Sequence, residues 1–103
     1  MAKSKSTSPT SVFQIKVTLE GSKPPIWRRL LVRSDMTLGD LHTIIQAAMG
    51  WWDYHLHQFI VGGTYFGVPD PAFDGFMEMH DEEDVTLAQA TPREGSKFRY
   101  EYD

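Results

Sequence analysis

The chain has 103 residues, no cysteine, 41% hydrophobic and 23% charged residues. A chain of this length buries roughly 60–65% of the surface its unfolded form exposes, enough for a single core. The missing cysteine excludes a disulfide scaffold, a thiolate zinc site and a cysteine nucleophile, and 13% aromatic residues exclude wholesale disorder.

Beyond Met1 and Ala2, residues 1–11 are Lys, Ser, Thr and Pro with no apolar stretch. They read as a disordered polar leader rather than a secretory signal, which points to a cytoplasmic protein with residues 12–103 as its single domain. Val12 to Glu20 alternates, with Phe13, Ile15, Val17 and Leu19 on one face, and predicts a half-buried strand. Gly21 to Pro25 breaks it. Ile26 to Arg33 predicts the return strand of an antiparallel hairpin, with Ile26, Arg28, Leu30 and Val32 on one face and Trp27, Arg29, Leu31 and Arg33 on the other.

Thr37-Leu38-Gly39-Asp40 resembles a capping box with Asp in place of Glu. Leu38, Leu41, Ile44, Ile45, Ala48 and Met49 follow within an arc of about 140° on a helical wheel, an amphipathic helix closed by Gly50. Tyr54 to Val61 predicts a third strand, Gly62-Gly63 a hairpin turn, and Thr64 to Phe66 a short return. Residues 67–84 read as a long surface loop ending in a solvated acidic run, and Thr86 to Ala90 as one helical turn. Lys97 to Asp103 alternates again, with Phe98, Tyr100 and Tyr102 inward, as a central or near-central closing strand. One helix over a small mixed sheet, in β-β-α-β-β-β order, is an α+β architecture with a β-grasp (ubiquitin-like) arrangement.

Pro25-Ile26-Trp27-Arg28-Arg29, then Thr37-Leu38-Gly39-Asp40-Leu41-His42, then Gly50-Trp51 with His55-Leu56-His57-Gln58-Phe59, together carry a likeness. From about Val12 onward the chain resembles the plasmid pRiA open-reading-frame-three-like family, labelled as insertion-sequence passenger proteins of the TnpR type. The resemblance implies an association with mobile elements and supplies no catalytic residues. Members of the family usually continue beyond the closing strand with further elements, so the domain here is either a short member or one cut at its C-terminus.

The label suggests a resolvase, which needs a nucleophile on a structured element among converging arginines. Ser4, Ser6, Ser8 and Ser11 fall in the leader, and Ser22 and Ser34 at turns, so neither a serine nor a tyrosine recombinase constellation is present. No catalytic residue and no cofactor is expected. The metal alternative is His55 and His57, two apart on a strand, with Asp53 on the same side and His42 or His80 completing the set. Against it, both histidines read as hydrogen-bonded residues of a half-exposed strand, and His42 as a satisfied ring at the edge of the helical stripe. Asp70, Asp74, Gly75 and Asp81 match part of a calcium loop, but Ala72 stands at its third position.

The binding surface is assigned to Trp27, Arg29, Leu31 and Arg33, because Trp and Arg dominate interface energies. The same residues could stack on bases and neutralise phosphates. Charge decides between these. Residues 1–67 carry seven Lys/Arg against four Asp/Glu, and residues 68–103 carry three against ten, balances of +3 and −7. A protein partner or self-association is therefore favoured, nucleic acid is disfavoured, and membrane binding is not expected, since the longest apolar runs have three residues. The expected function is a non-enzymatic interaction module. A nucleic-acid-associated accessory protein is the alternative, and a metal-dependent enzyme the third reading.

Overall fold

The structure, a computed structural model, describes residues 11–53, 55–69 and 78–102. Its elements are β1 (Val12–Leu19), β2 (Ile26–Arg33), α1 (Leu38–Met49), β3 (His57–Val61), β4 (Thr64–Gly67), β5 (His80–Asp81), a 3-10 turn (Glu82–Asp84), α2 (Leu87–Ala90) and β6 (Arg99–Tyr102). The fold is mixed α+β with one main helix. Its strands form two sheets rather than the single mixed sheet expected: β1 and β2 pair only with each other, and β5-β4-β3-β6 form a second sheet.

The hairpin pairs antiparallel in the register Phe13 with Val32, Ile15 with Leu30 and Lys16 with Arg29. That register places Phe13, Ile15, Val17, Leu30 and Val32 on the core side, as the alternation requires. The helix runs between the expected residues. Thr37 accepts from the Asp40 N–H while the Asp40 carboxylate accepts from the Thr37 N–H, and Gly50 closes the helix in the left-handed conformation. Leu38, Leu41 and Ile45 form one buried cluster with Val32 of β2, Phe59 of β3 and Leu87 of α2, so both sheets meet at the helix.

The segment before α2 is stitched to the β2–α1 connection. Leu38 N–H donates to Val85, Leu87 N–H to Met36 and Ala88 N–H to Ser34 at 3.2, 2.8 and 2.9 Å. Thr86 begins α2 with its own capping box, completed by Gln89.

β6 pairs antiparallel with β3 only and is an edge strand among the described residues, not the central or near-central one expected. It is held there by Tyr100, which packs against the core together with Phe98 just before the strand. The third strand begins at His57 rather than Tyr54, which lies outside the described residues, as do 70–77 and most of the calcium-loop match. The acidic run is not uniformly solvated: its second residue, Glu82, is buried. No helix among the described residues is long and apolar enough to cross a membrane.

Candidate functional site

Two groups of side chains stand apart from ordinary packing. The first is the outer face of the β1–β2 hairpin. Trp27 is 45% exposed and Leu31 73% exposed, beside Val12. The Lys16 ammonium and the Arg29 guanidinium lie over the Trp27 ring, 5.0 and 5.4 Å from its centroid. Register explains this: Lys16 and Arg29 are cross-strand partners, and Arg29 is two residues from Trp27 on the same face. Arg33, assigned to the same face, grips Asp35 through two hydrogen bonds of 3.1 and 2.8 Å. The side-chain bond to Asp35, and then its charge, raise the Arg33 pKa further above its ordinary value.

The second group is interior. His42, on α1, is buried with both ring nitrogens engaged: Nδ1 lies 2.6 Å from the Tyr100 hydroxyl and Nε2 2.9 Å from Asp53 Oδ1. The carboxylate only accepts, so Nε2 carries the proton. In the neutral ring Nδ1 then accepts, and the Tyr100 O–H donates to it. Gln46, one helical turn beyond His42, donates from Nε2 to the Tyr100 oxygen at 2.8 Å and accepts the Asp53 backbone N–H at 2.8 Å. Asp53 adopts φ 57°, a left-handed conformation that Asp tolerates better than most residues. Burial, above all, pushes the Tyr100 hydroxyl up to about 12.

His57, at the start of β3, stacks face to face on His42, with centroids 3.5 Å apart and planes 9° apart. Its Nε2 lies 2.7 Å from Glu82 Oε1; the Glu82 side chain is buried and that of His57 partly so. A buried carboxylate needs compensating charge or donors. The His57 N–H provides one, and the N-terminus of α1 is close by. Gly39 in its first turn is buried, and a Cβ there would overlap the Glu83 carboxylate and approach Glu82 Oε2 to 3.1 Å.

Sequence reasoning placed His57 and Asp53 in a candidate metal set and offered His42 as a completing member. The structure brings those three together: one ligand atom from each lies within 4.8 Å of the others. It does not bring in His55, which precedes β3, is exposed, and meets Tyr102 edge-on at 5.6 Å. His80 lies at the β5 end, 3.5 Å from Glu78. Tyr100, Gln46 and Glu82 were missed. The one signal for them was His42 and Gln46, hydrogen-bonding side chains four apart at the border of the apolar stripe.

Trp51 packs against the core and stacks on Tyr102 at 5.1 Å, while Trp52 is exposed. With Gly50 and His55 they line an open cleft of about 250 Å³. A larger concavity, about 390 Å³ between Val61 and Lys97, shares no residue with the histidine centre.

Residues 11–103 match the plasmid pRiA4b ORF-3-like protein family. The chain belongs to this family. Over 95 residues it is 40% identical to the uncharacterised protein y4hQ of Sinorhizobium fredii, an alignment covering 90% of this chain and 47% of that one. Its fold is similar to the crystal structure of a protein of unknown function from Methanosarcina mazei Go1. The TM-score is 0.81 and the identity 32%, over 93% of this chain and 55% of the other. The chain thus spans about half the length of these relatives.

Proposed function

We propose that this domain is a non-enzymatic, cytoplasmic interaction module. Its hairpin face binds a protein surface that offers an apolar pocket rimmed by carboxylates. The carrying observation is Trp27, half-exposed and held under Lys16 and Arg29, with Leu31 and Val12 exposed on the same face. A large ring flanked by cations is the composition of an interface hot spot. The acidic residues 68–103 make a second copy of this chain one such partner, through a head-to-tail contact.

Arg33 weighs against nucleic acid. Its charge is already matched by Asp35, leaving Lys16 and Arg29 as the cations beside the ring. Two such charges neutralise too few phosphates for tight binding. The hydroxyls of Ser22 and Ser34 serve turn and strand-end backbone, which supports the non-enzymatic reading over a recombinase. The β-β-α-β-β element order supports a β-grasp arrangement as well, although β1 and β2 form a sheet of their own.

The test is sedimentation equilibrium of the purified chain together with filter binding to single- and double-stranded DNA at two salt concentrations. Association that is weakly salt-dependent and lost in Trp27→Ala supports the proposal. Sub-micromolar DNA binding that falls steeply with salt and weakens in Arg29→Ala overturns it.

A further inference from the structure

We propose that His42, Asp53 and His57 bind one divalent transition-metal ion of the class that takes two imidazoles and a carboxylate, with zinc as the probe. Three ligand atoms within 4.8 Å of one another meet the spatial requirement of such a site. The outer contacts carry the argument further. Metal-bound histidines characteristically donate their other ring N–H to a carboxylate, backbone carbonyl or water. Here Glu82 holds His57 Nε2, which leaves Nδ1 with the lone pair, and Tyr100 holds His42 Nδ1, which turns Nε2 toward Asp53.

Charge points the same way. Two carboxylates, Asp53 and Glu82, surround two imidazoles, and among the described residues no Lys or Arg pairs with either acid. A dication there meets no competing cation. Asp53 is the most exposed member, with its side chain 55% accessible, so the ion enters from its side.

Binding has a defined structural cost. Parallel rings 3.5 Å apart aim their lone pairs side by side rather than at one point, so one ring must tilt and open the stack. The proton on His42 Nε2 gives way to the ion while Nδ1 takes one up. The Tyr100 oxygen, with a second lone pair beside the one used by Gln46, accepts that new N–H, and its own O–H, which until then donated to Nδ1, rotates away from the ring.

The experiment is calorimetric titration of the chelator-stripped full chain with zinc chloride near neutral pH, with imidazole proton–nitrogen NMR spectra before and after. One-to-one binding with shifted His42 and His57 ring signals is expected. Asp53→Asn suits the left-handed backbone and keeps the N–H to Gln46, so it preserves the fold while weakening binding at least about tenfold; Glu82→Gln weakens it about 10–100-fold through His57. His55→Ala and His80→Ala leave the affinity unchanged. Absence of one-to-one binding, binding insensitive to Asp53→Asn, or binding lost in His55→Ala or His80→Ala would overturn the proposal.

Discussion

Replacing Tyr100 by Phe tests the interior network most directly. The ring stays in β6 and keeps its packing on Phe59, 4.9 Å away between centroids, so the lesion is confined to one oxygen. That oxygen serves two buried residues, His42 through Nδ1 and Gln46 through Nε2. A buried polar group left without its partner costs about 1–3 kcal/mol, and Gln46 retains its bond to the Asp53 N–H, so the sum is about 2–4 kcal/mol. In a domain of this size that lowers Tm by at least about 8 °C.

A second signature lies in the pH dependence. Burial holds the Tyr100 hydroxyl at about 12 against an ordinary 10, so the folded chain keeps a proton that the unfolded chain releases. The stability involved is fully present below pH 10 and is lost as the pH climbs from 10 through 12. Two units at about 1.4 kcal/mol each give an upper bound, which a half-buried ring reduces to about 1–2 kcal/mol. Urea unfolding of both proteins across this window should show the wild type losing that increment relative to Tyr100→Phe. A cost below about 0.5 kcal/mol, with parallel pH curves, would refute the network's role.

Ile45 is buried at the centre of the helix face, and Ile45→Ala should cost about 2–5 kcal/mol by chemical denaturation; a negligible change would show that α1 is docked elsewhere. Trp27→Ala should change stability by less than about 1 kcal/mol, because the ring is half-exposed, while abolishing association in sedimentation. Deleting residues 97–103 removes β6 and the Tyr100 hydroxyl together, and should abolish cooperative thermal unfolding; an unchanged transition would show that β6 is dispensable. His57→Phe keeps an aromatic ring on His42 but strands the Glu82 carboxylate, and calorimetry should show a loss of about 3–5 kcal/mol.

Local pattern alone determined the hairpin, its inward face and the helix. Period-two alternation permits only one assignment of Phe13, Ile15, Leu30 and Val32 to the core, and a capping box with a glycine stop marks both ends of α1. The Trp27 face was legible for the same reason, since it is simply the other side of that alternation. The division into two sheets was not, because sheet membership depends on which strand edges meet through the core, and residue pattern does not encode that choice. Nor was the histidine centre.

His55 and His57 looked paired because strand periodicity puts alternate residues on one face, but β3 begins only at His57, so His55 falls outside the strand. His42 joins His57 because α1 crosses that strand, Tyr100 because β6 pairs with β3 two residues further in, and Glu82 because the acidic run turns inward against Gly39. Each contact links residues distant along the chain. In sequence His42 and Gln46 are only polar residues at the edge of a stripe and Glu82 one acid among four; tertiary packing takes them out of water and leaves one another as their partners.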